Sequence, residues 1–264
     1  MRTNELGRLR SMRLIQGAVA TILATSAWTV SVAAQTLLNG GFNASGSAGF
    51  IQQGTTNDQS LPGWTVTTGS SGSYTCVATG PTITASTTYC GSGGDSFTTS
   101  PGTVPGGYNG NIFINDAGSP YSLTISQTIT NLISGQAYAL SFYYAGAQQT
   151  SFSGGSTDYW AVTTGSVVTD TPNITIGYGT AGGNQGIGPT DPWAQDTIDF
   201  IAIGSTEILS FLATGTGAGE PPFMMLADVA IFHVPEPASF IVYGAGLMGL
   251  AGLRRYRRPR RAAG

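Results

Sequence analysis

Gln136-Ala137-Tyr138-Ala139-Leu140-Ser141-Phe142-Tyr143-Tyr144-Ala145 is the stretch on which the fold turns. Tyr138, Leu140, Phe142 and Tyr144 fall on every second position, alternating with Ala137, Ala139, Ser141 and Tyr143. Successive side chains of a strand point to opposite faces, so this period of two describes a half-buried strand. Upstream, Ser122 to Ile129 reads as a second strand, and the two together form the clearest hairpin expected in the chain.

Working outward, the same reading predicts a first strand at Leu37–Phe42 that ends in a tight turn at Asn39-Gly40-Gly41-Phe42. Leu61-Pro62-Gly63-Trp64 turns into a strand at Thr65-Val66-Thr67, and Tyr74 to Thr88 holds further β-prone residues. Gly91 to Gly110 reads as loop, followed by a strand at Asn111–Asn115. Later strands are expected at Tyr159–Thr163, Asn173–Tyr178, Thr197–Ile203, Glu207–Ala213 and Leu226–Val234. No segment between Gln35 and Val234 has a helical period. Short strands with Gly-rich turns predict an all-β chain whose middle is a single β-sandwich of the jelly-roll kind, over residues 35–233.

Charge is divided along the chain. All ten Arg lie at positions 2–13 or 254–261, and there is no Lys. Between Gln35 and Val234 stand eleven carboxylates and no base, a formal charge of −11 against −3 for the whole chain. Such a segment repels phosphate, which excludes nucleic-acid and nucleotide binding. It also has no Arg or Lys for an internal salt bridge, so its carboxylates must be solvated, hydrogen-bonded or neutralised by a cation. Ca²⁺ is the hard, oxygen-seeking candidate outside a cell.

The ends explain the division. Residues 1–34 have the parts of a signal peptide: Arg2, Arg8, Arg10 and Arg13, an apolar centre from Leu14 to Val30, and Val32-Ala33-Ala34 as a cleavage site. Met12 is an alternative start to Met1. At the other end, Val234-Pro235-Glu236-Pro237 stops any strand, because proline lacks an N–H and fixes φ. The uncharged run 238–253 then reads as a transmembrane helix. Arg254, Arg255, Arg257 and Arg258 open an Arg-rich end that stays in the cytoplasm as a membrane stop. The middle is thereby placed beyond the inner membrane, where Cys76 and Cys90 are expected to form a disulfide. That bond closes a loop of about fifteen residues, worth ~3 kcal/mol in the chain-entropy model.

Residues 234–261 resemble the PEP-CTERM sorting signal: a Pro-Glu-Pro motif, a short hydrophobic helix and an Arg-rich end. The same tail is also called an ice-binding protein C-terminal motif, a description of the tail and not of an activity. The resemblance implies translocation by the Sec machinery, cutting near Pro235–Pro237 by an exosortase, and delivery to the cell envelope or outside.

A second resemblance rests on Asn39-Gly40-Gly41-Phe42, Leu61-Pro62-Gly63-Trp64, Ser126-Gln127-Thr128, Gly135 to Phe142 and Asp228-Val229-Ala230-Ile231. In this order they are similar to the galactose-binding-like jelly rolls related to carbohydrate-binding modules. It implies polysaccharide as a partner and a structural Ca²⁺ joining the first strand to the last. Here Asn43 stands where Glu is usual, and Asp228 fits the second ligand position.

Catalysis finds little support in the composition. His233 is the only His and lies beside the Pro-Glu-Pro junction, so a Ser-His-Asp triad and a zinc hydrolase both lack residues. Asp191, Asp196 and Asp199 are the closest carboxylate group for a glycoside hydrolase, but Asp196 and Asp199 fall on opposite faces of a strand. Trp193, Tyr108 and Trp160 are the aromatic candidates for stacking on a sugar. The expected function is non-enzymatic: a glycan-binding envelope protein, or a purely structural matrix protein without a small ligand.

Overall fold

A computed structural model describes residues 37–44, 61–67, 75–89, 96–97, 101–118, 121–150, 155–176, 193–216 and 222–235. All of them belong to the compact unit Ala34–Gly264. The segments 1–34 and 236–261, and with them the signal peptide, the transmembrane run and the Arg-rich end, lie outside the described residues.

The strands are β1 (Thr65–Val66), β2 (Thr75–Ala78), β3 (Thr82–Ile83), β4 (Gly102–Thr103), β5 (Ile112–Asp116), β6 (Thr124–Ile129) and β7 (Ala137–Gln148). They continue with β8 (Ser156–Thr164), β9 (Val167–Asp170), β10 (Ile174–Ile176), β11 (Ala194–Ile201), β12 (Glu207–Thr216) and β13 (Pro222–His233). Among the described residues there is no helix. One sheet has the order β1-β6-β12-β8-β10, with β9 also on β8; the other has the order β11-β7-β13-β5-β2, and β3 pairs with β4 alone. Every pairing is antiparallel. Among the described residues the chain is an all-β sandwich of jelly-roll type, as the many short strands predict.

The alternating residues do what their spacing requires. Tyr138, Leu140, Phe142 and Tyr144 are all buried between the sheets. Phe211 of β12 meets Phe142 edge-on at 5.2 Å and Trp160 at 6.0 Å, so aromatic rings knit the two sheets together. The second sheet is covered on its outer face as well. Ile112, Ile114, Phe223 and Met225 point away from the first core and pack under Cys76, Ile83, Phe97, Val104 and Trp193. That is why β5 is buried at every position instead of alternating.

Two expectations are corrected. The segments 122–129 and 136–145 do not pair as a hairpin: β6 lies between β1 and β12, whereas β7 lies between β11 and β13 in the opposite sheet. Both present an apolar inner face, and these faces meet across the sandwich instead of edge to edge. The first strand is also absent, for Leu37–Asn39 is irregular and leads into the turn at Gly40–Gly41. A side chain of β6 holds it there. Gln127 Oε1 accepts from Leu38 N at 2.5 Å and Gln127 Nε2 donates to Leu38 O at 2.7 Å, reproducing both bonds of a strand neighbour. The expected loop 91–110 contains β4, and β9 is a strand the sequence did not announce because all four of its residues are exposed.

Candidate functional site

The turn Asn39–Asn43 meets β13 at its irregular point. β13 slips register on β7 between Ala227 and Ala230, and Asp228 there has φ 52°. Val229 N donates to Gly40 O at 3.0 Å. A Cβ on residue 40 would overlap that same Val229 carbonyl, so only glycine allows the approach. Asn39 and Phe42 also have positive φ, 53° and 52°.

The backbone oxygens at this junction are engaged by protein donors. The carbonyl oxygens of Asn39, Gly40, Gly41 and Phe42 already accept from Trp64 Nε1, Val229 N, Asn111 N and Asn111 Nδ2 respectively. Tyr108 Oη donates as well, to Gly41 O at 3.1 Å and Asn111 O at 2.5 Å. Asn43 is tied to Asn39 through its backbone N and O, and Asp228 is the junction's one carboxylate. Among the described residues, no group of three His, Cys, Asp or Glu could hold a metal. Val229 N and Tyr108 link the first turn to the last strand at the place where the resemblance assigns Ca²⁺ to Asn43 and Asp228, and Asn111 ties the same turn to the start of β5.

The three aromatic candidates are placed inside. Trp160 is 0% exposed, with its Nε1 donating to Met225 O at 3.2 Å, so neither ring face is open to a sugar. Trp193 is 3% exposed, covers the outer cluster and donates to Gly102 O at 3.3 Å. Tyr108 is half-buried, and burial raises its phenol to about 12; a backbone bond with Asp228 lowers it and the charge of Asp228 raises it. Each indole serves as packing with one polar anchor, whereas the Tyr108 phenol is held by both Gly41 O and Asn111 O. Cys76 is fully buried on β2 and is not a free thiol; Cys90 lies outside the described residues.

Asp196 and Asp199 occupy opposite rows of β11, which removes them as a facing pair, and Asp191 lies outside the described residues. Tyr144 is raised to about 12, first by burial and then by the charge of Asp196.

What the strand ends do create is a groove of about 470 Å³, lined by Ala137, Thr164, Ser166, Val167, Asp199, Phe200, Ile201, Ile203 and Glu207. Hydroxyls of Thr164 and Ser166 and the carboxylate of Asp199 stand among apolar surfaces. Ile201 and Ile203 are 66% and 72% exposed. Glu207 is not available as a partner acid, since its Oε1 accepts from Ile203 N at 2.5 Å and holds the β11–β12 turn. Of this groove's lining, only Asp199 was among the residues singled out by sequence. The groove's signal was a segment apolar on both faces: Ile198, Phe200 and Ala202 turn inward while Ile201 and Ile203 turn outward.

The groove also marks where the chain leaves the sandwich. Ala137 lines it, and Ala137 O accepts from Val234 N at 2.9 Å, the last bond before Pro235. Residues 233–258 match the PEP-CTERM protein-sorting motif. The PEP-CTERM motif therefore begins at His233, the last residue of β13, and implies an exported, membrane-anchored precursor processed by an exosortase.

Solved structures similar to the chain include TmCBM61 in complex with β-1,4-galactotriose, at 16% identity and TM-score 0.36, covering 66% of this chain and 90% of that one. The family 11 carbohydrate-binding module from Clostridium thermocellum, in complex with a β-1,3-1,4-mixed-linked tetrasaccharide, has 10% identity and TM-score 0.31, with 72% and 98% covered. The enzymatically active domain of bacteriophage CBA120 tailspike protein 4 has 10% identity and TM-score 0.34 over 66% of this chain, which spans 20% of that one. No curated protein sequence matches the chain.

Proposed function

We propose that the protein is an exported, exosortase-sorted envelope protein whose sandwich binds a neutral polysaccharide in the groove beside Val234, without acting on it. The observation that carries this reading is the groove's lining. Asp199, Thr164 and Ser166 offer acceptors and donors for sugar hydroxyls, and Ile201 and Ile203 offer apolar surface for ring faces. The volume of about 470 Å³ falls within the ~300–1,000 Å³ of small-ligand sites. A formal charge of −11 over Gln35–Val234 disfavours anionic glycans. Supporting the export half, β13 runs directly into the PEP-CTERM motif, which brings the Sec translocon, the exosortase and the membrane in as partners of the precursor. The remaining Cys76–Cys90 bond belongs to the same proposal, as the consequence of folding in an oxidising compartment.

A glycan array probed with the full chain in detergent, with and without EDTA, tests it. Binding to a neutral polysaccharide is expected, weakened about tenfold in Asp199→Asn and lost in Ile203→Glu. A second reading, a matrix protein with no small ligand, is favoured by the burial of Trp160 and Trp193. Absence of binding to every neutral glycan selects it, and hydrolysis of any bound glycan overturns the non-enzymatic half of the proposal.

A further inference from the structure

One end of the sandwich is unlike the rest of its surface. Ile133, Val167, Ile201, Ile203, Phe232 and Val234, more than half of the exposed large apolar side chains among the described residues, all stand around the end where β13 finishes. Register places them there. Ile201 is paired with Ala137 at the start of β7, Phe232 is paired with Ala139, and Val234 N donates to Ala137 O at 2.9 Å. Ser134 Oγ donates to Ile203 O at 3.0 Å, which brings the turn carrying Ile133 alongside, and Val167 borders the same groove as Ile201 and Ile203. The turns that close this end, 130–136, 164–166 and 202–206, contain no charged residue, although eleven carboxylates lie between Gln35 and Val234. Glu207 beside them is 6% exposed, with its Oε1 held by Ile203 N.

A contiguous apolar surface of this kind marks an interaction site, and the chain beyond it says what lies opposite. Only Pro235, Glu236 and Pro237 separate Val234 from the uncharged run 238–253. Three residues reach at most about 11 Å, while the headgroup layer of a bilayer is itself about 5–8 Å thick. As a helix, the run covers about 24 Å, short of the ~30 Å hydrocarbon core, so its ends are drawn inward. With the run across the bilayer, only a few ångströms are left between this end of the sandwich and the headgroups. We propose that this end docks on the outer surface of the inner membrane while the precursor is anchored, with Ile203, Ile201, Val167 and Phe232 seated at the headgroup boundary. Turns without charge suit that place, because a carboxylate there would have to be desolvated. The inference rests on the anchored-precursor half of the proposed function and is independent of glycan binding. Ile201 and Ile203 also form the apolar wall of the groove, so cutting the tail uncovers that wall.

The full chain in phosphatidylcholine nanodiscs tests the docking, with Trp probes at exposed positions and lipids brominated high on their acyl chains as quenchers. The fluorescence that Ile203→Trp adds to that of the unmodified chain should fall by about half or more in brominated discs. The fluorescence added by Tyr121→Trp, between β5 and β6 at the opposite end, should stay the same. A Gly/Ser insert of about ten residues after Pro235 lengthens the tether, and quenching of Ile203→Trp should persist because the apolar rim then holds the end down. Quenching at position 203 no greater than at position 121, or quenching lost with the insert, overturns the docking. Chain that stays with the discs on size exclusion but shows no quenching at position 203 removes the docking alone. Chain that does not stay with the discs removes the anchored precursor and the docking together.

Discussion

A single amide, that of Gln127, holds the irregular stretch Leu37–Asn39 to β6. It is 5% exposed and satisfies both backbone groups of Leu38, a residue that is itself 53% exposed, so water can take over part of the lost bonding. Gln127→Ala is expected to lower stability by about 1–2 kcal/mol in urea unfolding, more than a surface substitution would. Asp158 gives a pH signature. Burial pushes its carboxyl from the usual carboxylate range up to about 7, so the folded state binds the extra proton between those limits. Stability should therefore fall as pH rises from about 4 to about 7, by at most about 4 kcal/mol, and level off above. Urea titrations across that range check the slope. Neither residue was legible in advance. Gln127 and Asp158 each sit at an alternating position of an ordinary strand, and nothing in the local pattern says which polar residues turn inward.

At the scale of elements, strand existence was readable and strand partnership was not. The period of two in β7 follows from backbone geometry alone, which is why Tyr138, Leu140, Phe142 and Tyr144 are buried as expected. Whether β6 then lies beside β7 or across from it depends on which faces meet, and alternation is identical in both cases. The aromatic candidates failed for a related reason. Trp193 flanks a Gly-rich loop in sequence, but the outer face of the second sheet needed a cover, and the ring supplies it. Phe211 is where the two sheets depend on each other most, its ring near those of Trp64, Phe142 and Trp160. Phe211→Ala should destabilise by about 3–5 kcal/mol in denaturant titration, whereas Ile203→Ala on the groove rim should change stability by less than about 0.5 kcal/mol.

For the whole molecule, charge distribution sets the response to salt. With eleven carboxylates and no base between Gln35 and Val234, nearly every charge pair in the sandwich is repulsive. Raising NaCl from about 0.01 M to 0.15 M shortens the screening length from about 30 Å to 8 Å, so Tm should climb with monovalent salt even in EDTA. A fall in Tm over that range would mean that attractive pairs dominate. The position of β13 has a mechanical outcome of its own. It is flanked by β7 and β5 and runs straight into Pro235. Tension applied through the tail, with the opposite end of the sandwich held, draws an inner strand lengthwise between two neighbours. Its rungs along β7 then have to yield together instead of peeling one at a time, so in single-molecule stretching the sandwich should rupture at a higher force when pulled by this terminus than when pulled from the edge strand β11. Chain direction alone would make it a tether suited to flowing water.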